Sequence, residues 1–463
     1  MGYKGPSAEA ISRYQGKDSN YSNKQDNYFN LFPFTTHKQC PEVHSGCFIK
    51  TASGCMIKQE QTSESLFFHV VSLVGDDLYE DGKDATLEVL REITAVSGGS
   101  RTNNLRIALS AETSNNANKM ASYLVSMSED RGALRTITKE ALKRSNDDAN
   151  VVERLIYAVV PISDNDEAEE RKYFQVSKAL SKVFLQDLKF ILSDPRLIDM
   201  YLSSLLEFYF FMTVAQNSLI VSRKMHGNRN ELEDLYFALD WEKTNQTRAC
   251  YKHGFKKLEY ALEEMFVHAG VLEILNTVDE CSSSQQIDYI ALRELIDEFP
   301  TSKKEIAQNI RNATMEIRSY KYDSDLFSDS PLDGVAVDSV EDEIDYLYGT
   351  VKSILFNTAR NKPRGDYSNS FRLFCQSGLC FEKRRGRSGT LLNITDSTLL
   401  LLTTLAIGEG QNISLTDLFK QFHVRGVSLD EPSKELVAAY FEKRSMLDKK
   451  SDSGETQYVK RVL

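Results

Sequence analysis

The run from Leu205 to Val221 is the longest apolar stretch in the chain and the hardest to place at a surface. A helix over it is apolar nearly all round, and such a helix must be enclosed by protein or by lipid. Glu207 and Gln216-Asn217 interrupt it, which leaves it short of the ~20 uncharged residues that a bilayer span needs. It therefore reads as a buried bundle helix.

Helical periodicity continues on both sides. Leu87, Leu90 and Ile93 fall on one side of a helix, and Leu155, Ile156, Val159 and Val160 form a stripe ending at Pro161. Lys172 to Ser193 repeats the pattern with Val176, Leu180, Val183, Phe184, Leu188 and Ile191, and stops at Asp194-Pro195, where proline forbids continuation. Beyond a polar turn at His226 to Asn230, a helix from about Lys256 aligns Leu258, Leu262, Met265, Phe266, Ala269 and Leu272. Ser282-Ser283-Ser284 breaks it. Ser302 and Glu305 are spaced as a capping box for a helix that turns Ile306, Ile310, Ala313 and Ile317 inward.

At 463 residues the chain exceeds one ordinary core, and a prior of ~150 residues per domain suggests about three. Between Asp323 and Asp345 stand nine acidic residues and no Lys or Arg, with Pro331 and Gly334 among them, the composition of a solvated linker. The expected fold is mainly α. Its divisions are an N-terminal tail and mixed α/β region (1–83), with Leu66 to Val74 strand-like or buried, and an α-helical body (84–321). An acidic linker plus connecting helix follows (322–370), the helix spanning Glu341 to Asn357 and a polar loop Thr358 to Asn369. The last division is a C-terminal winged helix-turn-helix (371–463). Seven scattered cysteines without a signal peptide suggest reduced thiols in the cytoplasm.

The winged-helix expectation comes from helix, helix, helix and hairpin in that order between Asp396 and Leu463. The first helix is Ser397 to Ile407. The second, from about Thr416 to Phe422, packs Leu415, Leu418, Phe419 and Phe422 inward, with Gly426 placed for a left-handed cap. The third starts near Glu431 with Pro432 in its first turn and buries Leu436, Val437, Tyr440 and Phe441. In helix-turn-helix modules this third helix enters the major groove of DNA. A hairpin turns at Asp452 to Gly454.

Charge supports a polyanion at this end. From Phe371 onward there are 14 Lys+Arg against 11 Asp+Glu, whereas residues 1–370 hold 42 against 56. Candidate DNA contacts are Arg384, Arg385 and Arg387 before the helices, Lys434, Lys443 and Arg444 on the third helix, and Lys449, Lys450, Lys460 and Arg461 on the wing. Glu435 and Glu442 share the third helix, which makes base reading weak and leaves a protein-binding module as the rival.

No phosphate-binding G-x-x-x-x-G-K-[ST], G-x-S-x-G or H-E-x-x-H occurs, so ATP hydrolysis by this chain is not expected and no catalytic residue or cofactor is assigned. Asp76, Asp77, Asp81 and Lys83 faintly resemble a magnesium-dependent nuclease cluster, a coincidence to be expected among 67 acidic residues. His37, Cys40, His44 and Cys47, with Cys55 nearby, are candidate zinc ligands, although zinc sites usually separate two pairs by a long loop. Trp241, the only tryptophan, reads as a core residue before an interaction hot spot.

Two stretches resemble a known family. One runs from Arg425-Gly426-Val427 through Lys449-Lys450-Ser451-Asp452-Ser453-Gly454 to Gln457-Tyr458-Val459, with Gly386-Arg387-Ser388-Gly389 upstream. The other is Tyr236-Phe237-Ala238-Leu239-Asp240-Trp241-Glu242-Lys243 with Arg248, Tyr251, Gly254, Leu258-Glu259, His268-Ala269, Leu272-Glu273 and Leu275-Asn276. Together they resemble the DptG family of DNA phosphorothioation-dependent restriction proteins, from about residue 195 to the end. The resemblance implies a role in bacterial defence. A member of that family works with two partners, DptF and DptH, to restrict DNA lacking the phosphorothioate modification. The ATP-hydrolysing machinery is associated with those partners, so the implied role here is a non-enzymatic subunit that contacts double-stranded DNA and docks ATPases.

Overall fold

Asp194 and Pro195 begin the helix against which the body is assembled. The Asp194 carboxylate accepts the Arg196 N–H, and Pro195 occupies the first turn, where a missing N–H leaves nothing unpaired. The helix runs from Pro195 to Ser222 and is long and apolar enough to cross a membrane. Yet 67% of its most apolar window is enclosed by protein, so it is built as a core helix. The residues that interrupt its apolar run are paired. Gln216 exchanges two hydrogen bonds with the backbone of Glu233 (2.9 and 2.8 Å), and Asn217 bonds Tyr123 (3.0 Å), Gln175 (2.9 Å) and the Ser177 N–H (2.9 Å).

The structure is a computed structural model that describes residues 3–15, 29–57, 105–110, 114–143, 162–164, 173–278, 286–320, 326–327, 337, 339–386, 389–449 and 457–461. Described helices are α1 (Ala8–Gln15), α2 (Ser45–Ser53), α3 (Leu105–Ser110), α4 (Asn115–Ser126), α5 (Arg131–Leu142), α6 (Ala179–Leu192), α7 (Pro195–Ser222), α8 (Ala249–Lys252) and α9 (Phe255–Glu263). They continue with α10 (Met265–Leu275), α11 (Tyr289–Glu298), α12 (Lys303–Arg318), α13 (Val340–Asn357), α14 (Asn361–Gln376), α15 (Asp396–Ile407), α16 (Leu415–Val424) and α17 (Glu431–Lys443). The chain is thus mainly α, as expected. Short strands are β1 (Cys55–Ile57), β2 (Ile162–Asp164), β3 (Leu235–Tyr236), β4 (Ala238–Leu239), β5 (Glu382–Arg384), β6 (Thr390–Ile394), β7 (Asn412–Ser414), β8 (Val427–Ser428), β9 (Leu447–Lys449) and β10 (Gln457–Lys460).

The segment after α7 pairs with the C-terminal part. Strand β3 lies parallel to β8 with Leu235 opposite Val427, and β4 lies parallel to β6 with Leu239 opposite Ile394. Strand β5 closes that sheet antiparallel to β6, and β7, β10 and β9 form an antiparallel sheet of their own. Phe211 of α7 stacks on Phe381 (4.3 Å between centroids), and the main hydrophobic core extends without interruption from Ile11 to Val459. Helix α14 runs through residue 371 and buries Tyr367, Phe371 and Phe374.

A buried ion pair fixes this docking. Arg425, at the end of α16, gives two hydrogen bonds to Asp187 of α6 (Nε to Oδ2 2.7 Å, Nη2 to Oδ1 2.6 Å), both side chains being 5% exposed. Tyr209 of α7 donates to the same carboxylate at 2.5 Å. Gly426 follows with φ +81°, the left-handed cap that its position requires, and a Cβ there would meet Met212 of α7 at 2.3 Å.

Several expectations are corrected. The face from Lys256 to Leu272 is two helices, broken at buried Glu264, whose carboxylate turns aside to accept Tyr348 and Lys352 of α13. Ser302 makes no capping box, because the 3₁₀ turn Pro300–Ser302 leaves it helical and its hydroxyl donates to Phe299 O at 2.7 Å. The loop expected over Thr358 to Asn369 is largely α14. The stripes at 87–93 and 155–160, the stretch 66–74, the serines at 282–284 and most of the acidic run lie outside the described residues.

Two predictions follow from the buried polar groups. Asp187→Ala strands Arg425 in the core and lowers stability by ~3–5 kcal/mol in a denaturant titration, whereas loss of an exposed pair costs at most ~1 kcal/mol. His268 is buried beside Tyr289 (Nδ1 to OH 3.1 Å), and burial, reinforced by Lys224 and Lys352, lowers its pKa to about 3. An unfolded histidine binds its proton near pH ~6.5, so this group's contribution is complete above that pH. Stability should fall by up to ~1.4 kcal/mol per unit as pH drops from ~6.5 towards 3, and His268→Phe should flatten that slope in pH-dependent unfolding.

Candidate nucleic-acid interface

The N-terminus of α17 is clamped by the body segment that carries β4. Asp430 is its N-cap and accepts the Ser433 N–H at 3.3 Å. Arg248 reaches Asp430 through Nε (2.8 Å) and Nη2 (2.5 Å), and also donates to Ser433 (3.0 Å) and to Glu242. The Glu242 side chain is fully buried, accepts the Leu239 N–H (3.0 Å) and receives the Ser433 hydroxyl (2.9 Å to Oε2). Burial works to raise the Asp430 pKa, but the Arg248 and Ser433 hydrogen bonds outweigh it and hold the carboxyl below its usual range.

This clamp sets Trp241 against α17. Its ring lies on Tyr440, centroids 5.0 Å apart and planes 19° from parallel. The Arg444 guanidinium sits 4.7 Å from the Tyr440 centroid and donates to Asp396 at 3.3 Å; the Tyr440 hydroxyl donates to the same Asp396 oxygen at 3.2 Å. Burial and the Asp396 charge push the Tyr440 phenol up to about 12. Trp241 remains 40% exposed, which corrects the core expectation: both its neighbours in sequence, Asp240 and Glu242, are tied down by polar contacts, so the indole is left outside. Leu436, expected inside, is 36% exposed because Val437 and Phe441 form the inward stripe of α17.

The candidate cations divide by environment. Arg385 donates to the backbone carbonyls of Glu242 (2.6 Å) and Leu239 (2.6 Å) and to Asn393 (2.6 Å), so it braces the 239–242 turn instead of facing solvent. Arg461 lies 5.6 Å from the Phe190 ring of α6 and faces the body. Lys434 pairs with Glu431 (2.6 Å), Arg444 with Asp396 and Lys460 with Asp448 (2.7 Å), all exposed or half-exposed pairs. Arg384 and Lys443 are exposed and, among the described residues, make no ion pair; the same holds for Lys243, which residue patterns did not single out as a contact. Arg387, Lys450 and the Lys449 side chain lie outside the described residues.

Among the described residues no three His, Cys, Asp or Glu side chains converge as a metal site. His44 Nδ1 instead accepts the Cys47 N–H at 3.4 Å as the N-cap of α2, Cys47 and Cys55 are buried, and Cys40 bonds Pro41 O at 3.6 Å. His37 is exposed. The zinc expectation is therefore not met by His37, Cys40, His44 and Cys47: capping already occupies a histidine lone pair. Asp76, Asp77, Asp81 and Lys83 lie outside the described residues.

No protein-family model matches the chain, and no curated protein matches it. The likeness to DptG therefore rests on the quoted residue strings. The geometry itself offers a partly exposed aromatic pair, with the exposed Lys243 and Lys443 two and three residues away in sequence.

Arg248→Ala leaves the Glu242 and Asp430 carboxylates facing each other without their shared cation. The expected result is a red shift of Trp241 emission, as the 240–248 segment leaves α17, with a stability loss of ~3–5 kcal/mol. An unshifted spectrum would remove the clamp from the account.

Proposed function

We propose that this chain is a non-enzymatic subunit of a phosphorothioation-dependent DNA restriction complex, and that it contacts DNA backbone through a C-terminal winged helix-turn-helix. The order α15, β7, α16, α17, β9, β10, with β7 joining the hairpin in one antiparallel sheet, supports the winged-helix reading. The observation that carries the DNA reading is the set of exposed cations Lys243, Arg384 and Lys443, two of which stand within three residues of Trp241 or Tyr440 in sequence. Lys243 is two residues from Trp241 and Lys443 is three from Tyr440, whereas Arg384 lies between Lys383 and Arg385, which reach residues 239–242, and so takes the opposite face of β5.

Contact of this kind is with backbone more than with base edges. Helix-turn-helix proteins read bases with the first turns of the third helix, and here Ser433 is buried under Glu242 and Arg248. The pairs of Lys434, Arg444 and Lys460 are exposed, hold at most ~1 kcal/mol each, and can exchange a carboxylate for a phosphate. Arg385 and Arg461 drop out of the contact set. The resemblance supplies the system: DptF-like and DptH-like partners provide ATP hydrolysis, in a bacterial cytoplasm.

A second reading, a scaffold that binds only protein, draws on one feature. Pro432, Leu436 and Ala439 are exposed on α17 at helical spacing, with Glu435 and Glu442 near them. The two readings separate in a titration of the full chain with modified and unmodified duplexes over a range of salt. DNA contact predicts a linear loss of log affinity with log salt, the slope shrinking by about 0.9 for each of Arg384→Gln and Lys443→Gln. No binding at low salt, or a slope that ignores both substitutions, favours the scaffold.

A further inference from the structure

The Trp241–Tyr440 pair is exposed in a way that loop mobility does not explain. The Asp240 N–H donates to Ile394 O at 2.8 Å, and its carboxylate receives Lys383 and Asn393 (3.1 Å). The Glu242 N–H donates to Leu239 O at 3.0 Å, its carbonyl receives Arg385 (2.6 Å), and its carboxylate is enclosed. Trp241 is thus held rigidly between two anchored neighbours, with Tyr440 against its ring and 40% of the residue in contact with solvent. An indole is the largest apolar side chain, and leaving it in water forgoes burial that the fold makes elsewhere.

The acidic residues beside it are already paired, while two lysines close to it in sequence are not. Asp240, Asp396 and Asp430 are matched internally by Lys383, Arg444 and Arg248, whereas Lys243, Arg384 and Lys443 pair with no described carboxylate. Glu442 stands next to Lys443 and tempers the charge without cancelling Lys243 and Lys443 together. Aromatic faces flanked by cations that track a backbone are the means by which proteins hold single-stranded nucleic acid. A duplex cannot use the aromatic part, because the faces of its bases are already stacked on one another.

We propose that Trp241, backed by Tyr440, is a stacking platform for an unpaired base of single-stranded DNA, with Lys243 and Lys443 on the adjoining phosphates. This deepens the DNA-contacting reading and rests on it. The ligand class is single-stranded or locally unpaired DNA, whose base faces are open to an aromatic ring. Arg444, already over the Tyr440 ring, holds that ring in place.

Because the chain has one tryptophan, its own emission reports the contact. The full chain is titrated with an oligothymidylate and, separately, with a blunt duplex labelled for anisotropy. The expected result is saturable quenching of Trp241 by the single strand that follows the binding curve and weakens with salt. Trp241→Ala should lower single-strand affinity on the order of 10–100-fold while changing duplex affinity less than about 2-fold, and Trp241→Phe should retain most of it. Single-strand binding without quenching, or equal losses on both ligands in Trp241→Ala, overturns the platform. Duplex binding that weakens in Arg384→Gln and Lys443→Gln but no single-strand quenching sinks the platform and leaves DNA contact standing; no binding to either ligand sinks both. Quenching in the unaltered chain is the deciding measurement if Trp241→Ala fails to fold.

Discussion

The ion pair between Asp187 and Arg425 is the interaction on which the arrangement of the C-terminal half depends. Two charges at 5% exposure are tolerated only because each is fully answered: Arg425 by the carboxylate and by Gln421 O, Asp187 by the guanidinium and by the Tyr209 hydroxyl. A misdocked module would leave both uncompensated, so the pair selects one docking geometry more than it adds net stability. From that geometry follows the rest. Val427, two residues beyond Arg425, is carried to Leu235, the strand pairing continues from β3 to β4 and β6, and the chain leaving β4 is delivered to the first turn of α17.

The same docking sorts the cations. A basic residue near the seam between body and module finds carbonyls or an aromatic ring and becomes part of the fold, as Arg385 and Arg461 do. Arg384, next to Arg385 in sequence, and Lys243, next to Glu242, stay in solvent. The surface proposed for DNA is made jointly by residues 241–243 and α17. Neither the body nor the module supplies it alone.

Much of the fold was legible locally. The stop at Asp194-Pro195, the inward face of Ile306, Ile310, Ala313 and Ile317, the third helix opening at Glu431-Pro432 and the left-handed Gly426 are each decided within a few residues, and each is found. What was illegible depends on distant partners. Arg385 and Arg384 are adjacent and chemically alike, yet only one meets the carbonyls of 239 and 242. Trp241 is exposed because Glu242, beside it, is drawn inward by Arg248 and Ser433. Ser302 and Glu305 carry the spacing of a capping box, but the preceding 3₁₀ turn decides where the hydroxyl points. The cysteine and histidine spacing at 37–47 says nothing of the N-cap role that His44 takes.

Hydrogen exchange of the full chain with and without single-stranded DNA tests the jointly built patch most directly, since it reads body and module in one experiment. Protection should appear together in 239–248 and 431–445, two segments far apart in sequence that the Arg248 clamp joins. Protection confined to the hairpin strands at 447–449 and 457–460, with 239–248 unchanged, would contradict the account.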